Sequence, residues 1–131
     1  MVIDTSALVA ILLSEPEAAR MGRAIAEASS PVVGAPTLVE AAAVLMGRLG
    51  PGGEVLLDAL LHRLKIEVVP MTATAADAAR RAYARYGKGV GRPGVLNFGD
   101  CLSYGVAADR GVPLLFKGDD FPRTDISADA Y

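Results

Sequence analysis

The chain has 131 residues, 52% of them hydrophobic and 21% charged, which supplies a core and argues against a disordered chain. A formal net charge of −2 speaks against a protein that coats nucleic acid non-specifically, because such binding rests on Lys and Arg neutralising phosphates. The single cysteine, Cys101, excludes an intramolecular disulfide and a cysteine-based zinc site, and fits a reduced, cytoplasmic protein.

Val2-Ile3 reads as a buried strand ending at Asp4, and Asp4-Thr5-Ser6 as the capping residues of a helix that runs from near Ser6 to Leu13. No basic segment precedes this apolar stretch, so no leader is expected, and Ala7 to Leu13 is too short to span a bilayer. Glu15-Pro16-Glu17 suits a helical first turn, with Met21 and Ile25 following at helical spacing. Pro31 to Gly34 is a second strand, and Ala35-Pro36-Thr37 opens a helix reaching Leu49. Gly50-Pro51-Gly52-Gly53 reads as a stop before an amphipathic helix through Val55 and Leu64.

Ile66 to Pro70 is a third strand, followed by a helix from Thr72 or Thr74 to about Tyr86. A glycine-rich loop from Gly87 to Gly94 leads to a helix over Phe98 to Asp109. Leu114-Leu115-Phe116 is a fourth strand, and one more short strand is expected near Ile126. Strands alternating with helices predict a single α/β domain over residues 1–131: a three-layer α/β/α arrangement around a mainly parallel sheet.

Open α/β sheets bind ligands at the carboxyl ends of their strands, which sorts the 15 acids. Most read as solvated helix faces. Asp4 ends the first strand, Glu40 interrupts an otherwise apolar helix, Asp100 lies in the first turn of a late helix, and Asp119 and Asp120 follow the last clear strand. Each has an ordinary reading: a helix cap for Asp4, a water-facing position for Glu40, a dipole complement for Asp100. Together they would converge on one sheet edge. Clustered carboxylates need a compensating cation, and all-oxygen ligation selects Mg²⁺ or Mn²⁺, ions suited to phosphodiester hydrolysis.

The opening Asp4-Thr5-Ser6, Glu40, the segment Leu96-Asn97-Phe98-Gly99-Asp100-Cys101 and the closing Leu114-Leu115-Phe116-Lys117-Gly118-Asp119-Asp120-Phe121 occur in that order over nearly the whole chain. In this they resemble the PIN domain, and within it the VapC toxins. The resemblance implies an Mg²⁺-dependent endoribonuclease, for which Mn²⁺ is a plausible substitute. It implies Asp4 and Asp100 as direct metal ligands and Glu40 as a ligand or as the orienter of the attacking water. Ser6 and Asn97 would be hydrogen-bonding partners of these acids. For the fourth acid the family's Thr-x-Asp register would fall on Gly118, so Asp119 is the first choice, Asp120 the alternative and Asp125 a distant third. Partners implied are RNA, with tRNA-type stem-loops frequent in the family, a VapB-type antitoxin in a toxin–antitoxin hetero-oligomer, and a second copy in a homodimer.

Arg80, Arg81, Arg85, Lys88 and Arg92 form a run without an intervening acid and are candidates, with Lys117, to track an RNA backbone; the ordinary reading is a solvated helix face. His62 lies far from the acids and reads as structural, and Cys101 as a small buried hydrophobe. Two other functional classes fit less well. A non-catalytic PIN-like module acting through its antitoxin would be expected to have lost one acid. A phospho-aspartyl phosphohydrolase would carry Asp-x-Asp where this chain has Asp4-Thr5-Ser6.

Overall fold

The computed structural model describes residues 1–131. Four parallel strands, β1 (Val2–Ile3), β2 (Val32–Gly34), β3 (Glu67–Val69) and β4 (Leu114–Leu115), lie in the order β3-β2-β1-β4. Each strand is two or three residues long, and its alternation divides the core in two. Val2, Val32 and Leu114 enter one apolar cluster, whereas Ile3, Val33 and Leu115 enter the other.

Helices α1 (Thr5–Leu12), α2 (Ala18–Glu27), α3 (Ala35–Leu49) and α4 (Gly52–Arg63) cover the second face through Leu8, Met21, Leu45 and Leu60. Helices α5 (Ala73–Tyr86) and α6 (Phe98–Arg110) cover the first through Ala75, Ala79, Ala82 and Val106. The sheet and its two helical layers match the expected three-layer α/β/α fold. No helix is long and apolar enough to cross a membrane.

Several boundaries differ from the sequence expectation for local reasons. Glu15-Pro16-Glu17 leads into α2 as expected, but as the turn before it, with Glu17 as the N-cap residue and both acid side chains paired with Lys117 rather than with the helix N–H groups. The stop after α3 is confined to Gly50, at φ 68°, and Gly52 and Gly53 already belong to α4. Thr72, not Thr74, caps α5, its hydroxyl accepting from Ala75 N at 2.9 Å. The glycine-rich segment is tied down: Lys88 N donates to Leu96 O, and Val95 N and Leu96 N both donate to Tyr86 O.

The strand expected near Ile126 is a single parallel bridge between Leu114 and Ala128. It is made by Leu114 N to Ser127 O and Asp129 N to Leu114 O, both at 2.9 Å. Asp125 anchors this segment, accepting from Tyr104 Oη at 2.6 Å and Arg85 Nη1 at 2.9 Å. That bonding holds its carboxyl below the usual range.

Candidate active site

From β1 the chain winds outward to β2 and β3, then returns to place β4 on the other side of β1. The β1–β4 seam is therefore where the winding reverses, and its carboxyl end is the expected ligand crevice. Asp4 stands there, 3% exposed, as both the residue after β1 and the cap of α1. Its Oδ2 accepts from Ser6 N at 2.9 Å and from Ser6 Oγ at 2.6 Å. Ser6 Oγ in turn accepts from Lys117 N at 2.9 Å, strapping the end of β4 to that of β1. One carboxylate oxygen is thus committed to local structure and the other is free of protein hydrogen bonds.

Asp100 is held in a similar way. Asn97 Oδ1 accepts from Asp100 N at 2.9 Å and Asp100 Oδ2 accepts from Asn97 N at 2.8 Å, a reciprocal capping box at the start of α6. Burial pushes the Asp100 carboxyl up to about 6 against the pull of the Asn97 N–H, and the charges of Asp4 and Asp120 add to the rise. Glu40, half-buried on α3, is likewise raised, first by burial and then by the charges of Asp4 and Asp100. Its Oε2 is buried and has no hydrogen-bond partner. Such an atom is costly unless something outside the protein satisfies it.

The structure therefore brings Asp4, Glu40 and Asp100 within electrostatic reach of one another, with Ser6 and Asn97 bonded to the two aspartates. The last acids separate. Gly118, at φ 109°, bends the chain after Lys117, so alternation in an extended strand does not apply there. Asp119 is exposed and without an ion pair. Asp120, at the head of a 3-10 turn (Phe121–Arg123), acts on Asp100 and meets Lys88 Nζ at 3.6 Å.

The basic run is more neutral than its sequence suggests. Arg80 and Arg81 both pair with Asp77, Arg85 with Asp125, and Lys88 with Asp120. Lys117 pairs with Glu15 and Glu17, in a position that braces the α1–α2 turn. Arg92 is exposed and outside these pairs. His62 is exposed and Cys101 buried, with its thiol pushed up to about 11 by burial, both as expected.

Sequence reading assigned no role to the residues that hold α3 against α6. Thr37 Oγ1 and Ser103 Oγ, both 0% exposed, lie 3.2 Å apart, and Thr5 Oγ1 donates to Thr37 O at 3.4 Å. Thr37 precedes Glu40 by three residues and Ser103 follows Asp100 by three, so the hydroxyls sit one helical turn from the two acids. A polar residue at that spacing on an apolar helix face was the available signal. Replacing Thr37 by Val leaves the Ser103 hydroxyl buried without its partner, and a loss of about 1–3 kcal/mol is expected. Chemical denaturation checks this, and a loss below a few tenths would deny the pair any role.

The donor set at the crevice is oxygen only. No three His, Cys, Asp or Glu side chains converge closely enough to encage an ion unaided. Oxygen donors of this kind suit a hard divalent cation in general.

Residues 1–127 match the PIN domain family. Ribonuclease VapC30 of Mycobacterium tuberculosis is 50% identical over 127 residues, covering 97% of this chain and 96% of that protein. Ribonuclease VapC of Mycolicibacterium smegmatis is 49% identical over 128 residues, covering 98% of each. Among solved structures, the sarcin–ricin-loop-cleaving toxin VapC20 of M. tuberculosis superposes with a TM-score of 0.75 at 20% identity, covering 95% of both chains. A toxin–antitoxin complex from Klebsiella pneumoniae superposes at 0.72 and 16% identity, covering 99% of this chain and 97% of that one. The chain belongs to the PIN-domain family, in its VapC ribonuclease branch.

Proposed function

We propose that this protein is a divalent-metal-dependent endoribonuclease, the toxin of a toxin–antitoxin pair, acting in the cytoplasm as a single domain over residues 1–131. The observation that carries this reading is the buried, unpartnered Oε2 of Glu40 beside Asp4 and Asp100, where burial first and then crowding of negative charge raises the carboxyls of Glu40 and Asp100. Asp4 and Asp100, each with an oxygen outside its capping bonds, would hold Mg²⁺, or Mn²⁺ in its place. The ion supplies the positive charge that lets carboxylates and a scissile phosphate share one crevice.

Each residue then has a defined task. Ser6 fixes the Asp4 carboxylate to the β1–β4 seam, and the Asn97 N–H fixes that of Asp100. Glu40 orients the attacking water and accepts its proton, a role for which a raised carboxyl pKa is suited. Asp120 completes the acidic rim in preference to Asp119. Arg92 is the cation placed to meet an RNA backbone, while Arg80, Arg81, Arg85 and Lys88 would first have to exchange carboxylates for phosphates.

The partners proposed are RNA, with a tRNA-type stem-loop as first candidate, a VapB-type antitoxin and a second copy of the chain. An apolar groove of about 570 Å³ between α5 and α6, lined by Met71, Tyr83, Val90, Phe98 and Leu102, supports a protein partner. Phe98, on its rim, is 74% exposed.

The test is cleavage of total RNA by antitoxin-free protein after chelation, then after addition of Mg²⁺ or Mn²⁺. Cleavage lost with chelator and restored by either ion is expected. Undiminished cleavage in chelator would refute the metal role. Absence of cleavage with both ions would favour a binding module without catalysis.

A further inference from the structure

Gly99 stands in the first turn of α6, between the exposed Phe98 and the site acid Asp100. A Cβ built on it would lie 2.3 Å from Glu40 Oε2, 2.5 Å from Oε1 and 2.6 Å from Cδ. The Glu40 carboxyl group therefore rests directly on the backbone of α6 at the one position of that turn without a side chain.

The seat is not adjustable by moving α3 away. One turn along each helix, Thr37 Oγ1 and Ser103 Oγ meet at 3.2 Å with both side chains fully buried. At the base of α3, a Cβ on Gly34 would come within 3.0 Å of Val106 Cγ2 on α6. The two helices are thus fixed in close approach below the acids. A side chain at position 99 can be accommodated only by displacing the Glu40 carboxyl group itself.

We propose that Gly99 is a positioning residue for cleavage: its missing side chain is the seat that aims Glu40 into the crevice. The proposal rests on the reading of Glu40 as the acid that orients the attacking water. It differs from a structural role for this glycine, because alanine is the better helix former and α6 has no unusual backbone there. Gly99→Ala is therefore expected to fold as well as the parent.

The experiment measures single-turnover cleavage of total RNA with Mn²⁺, and melting in chelator, for the parent, Gly99→Ala, Glu40→Gln and the double variant. Glu40→Gln is expected to lose at least a hundredfold in rate and Gly99→Ala at least tenfold. The double variant should be no slower than Glu40→Gln alone, since the alanine acts only through Glu40. The melting temperature of Gly99→Ala in chelator should equal or exceed that of the parent.

A parental rate for Gly99→Ala overturns the proposal. So does a loss in the double variant that multiplies the two single losses, or a Gly99→Ala rate loss matched by a fall in melting temperature. A parental rate for Glu40→Gln instead refutes the role of Glu40, and the proposal falls with that premise.

Discussion

Asp4→Ala and Asp100→Asn are both expected to reduce RNA cleavage by a thousandfold or more, while moving the stability of the metal-free protein in opposite directions. Asp4 is a cap as well as a site acid: its Oδ2 accepts from the Ser6 N–H and hydroxyl, and that hydroxyl is tied to Lys117 N. Removing it should cost about 1–2 kcal/mol, the usual worth of a helix cap. Asp100 is in the reverse situation. Its carboxyl is raised from 3.8 to about 6, chiefly by burial and then by the charges of Asp4 and Asp120.

An acid with a raised folded-state pKa contributes stability that is full below the unfolded value, near 4, and is lost as pH rises through about 6. At pH 7.5 without metal the ionised Asp100 is therefore a burden. An Asn removes the charge and retains an oxygen to accept from Asn97 N. The full shift corresponds to about 3 kcal/mol, which solvent screening at this half-exposed position reduces to about 1–2 kcal/mol.

Melting of Asp100→Asn in chelator at pH 7.5 should lie about 3–8 °C above the parent, with the difference vanishing near pH 4. Glu17 and Asp125, whose pKa values are lowered, give the opposite slope, but they are common to both proteins and cancel in the comparison. A variant that melts lower than the parent at pH 7.5 would show that the crevice charges are not in conflict.

Asp120→Asn should slow cleavage by ten- to a hundredfold, whereas Asp119→Asn should stay within twofold of the parent. Asp120 acts on Asp100 and holds Lys88 Nζ at 3.6 Å, so its loss alters the charge of the crevice and frees a cation beside it. Asp119 is exposed and makes no ion pair. Single-turnover rates for the two variants decide the matter, and the reverse ranking would restore Asp119 as the fourth acid.

The parts of this site differ in how far the sequence reveals them, for physical reasons. Asp4, Asp100 and Asn97 are legible because strand ends and helix starts have local grammar: a short apolar run, then capping residues at fixed offsets. Glu40 is legible as a charge in the apolar run Leu38 to Leu45. The layered fold follows from strands and helices in alternation. What sequence could not supply is whatever depends on two distant segments meeting.

The choice between Asp119 and Asp120 turns on a left-handed Gly118, which an extended reading of the segment does not anticipate. The neutralisation of Arg85 and Lys88 depends on Asp125 and Asp120, acids from the far end of the chain. The same holds for Thr37 with Ser103, 66 residues apart, and for Gly99 beneath Glu40.

The single bridge from Ala128 to Leu114 makes the sheet unequal at its two margins. On the side of β4 the chain's own tail occupies the backbone groups of Leu114, and Asp125 pins that tail to α5 and α6. The opposite margin, β3, is bare, with Glu67 and Val68 turned outward. Pairing of a foreign strand with an open sheet edge is thereby blocked at Leu114, beside the acids, and left to the margin farthest from them. There a three-residue strand bearing a glutamate offers a poor template. The tail thus acts as a selvedge along the border of the sheet beside the candidate site acids.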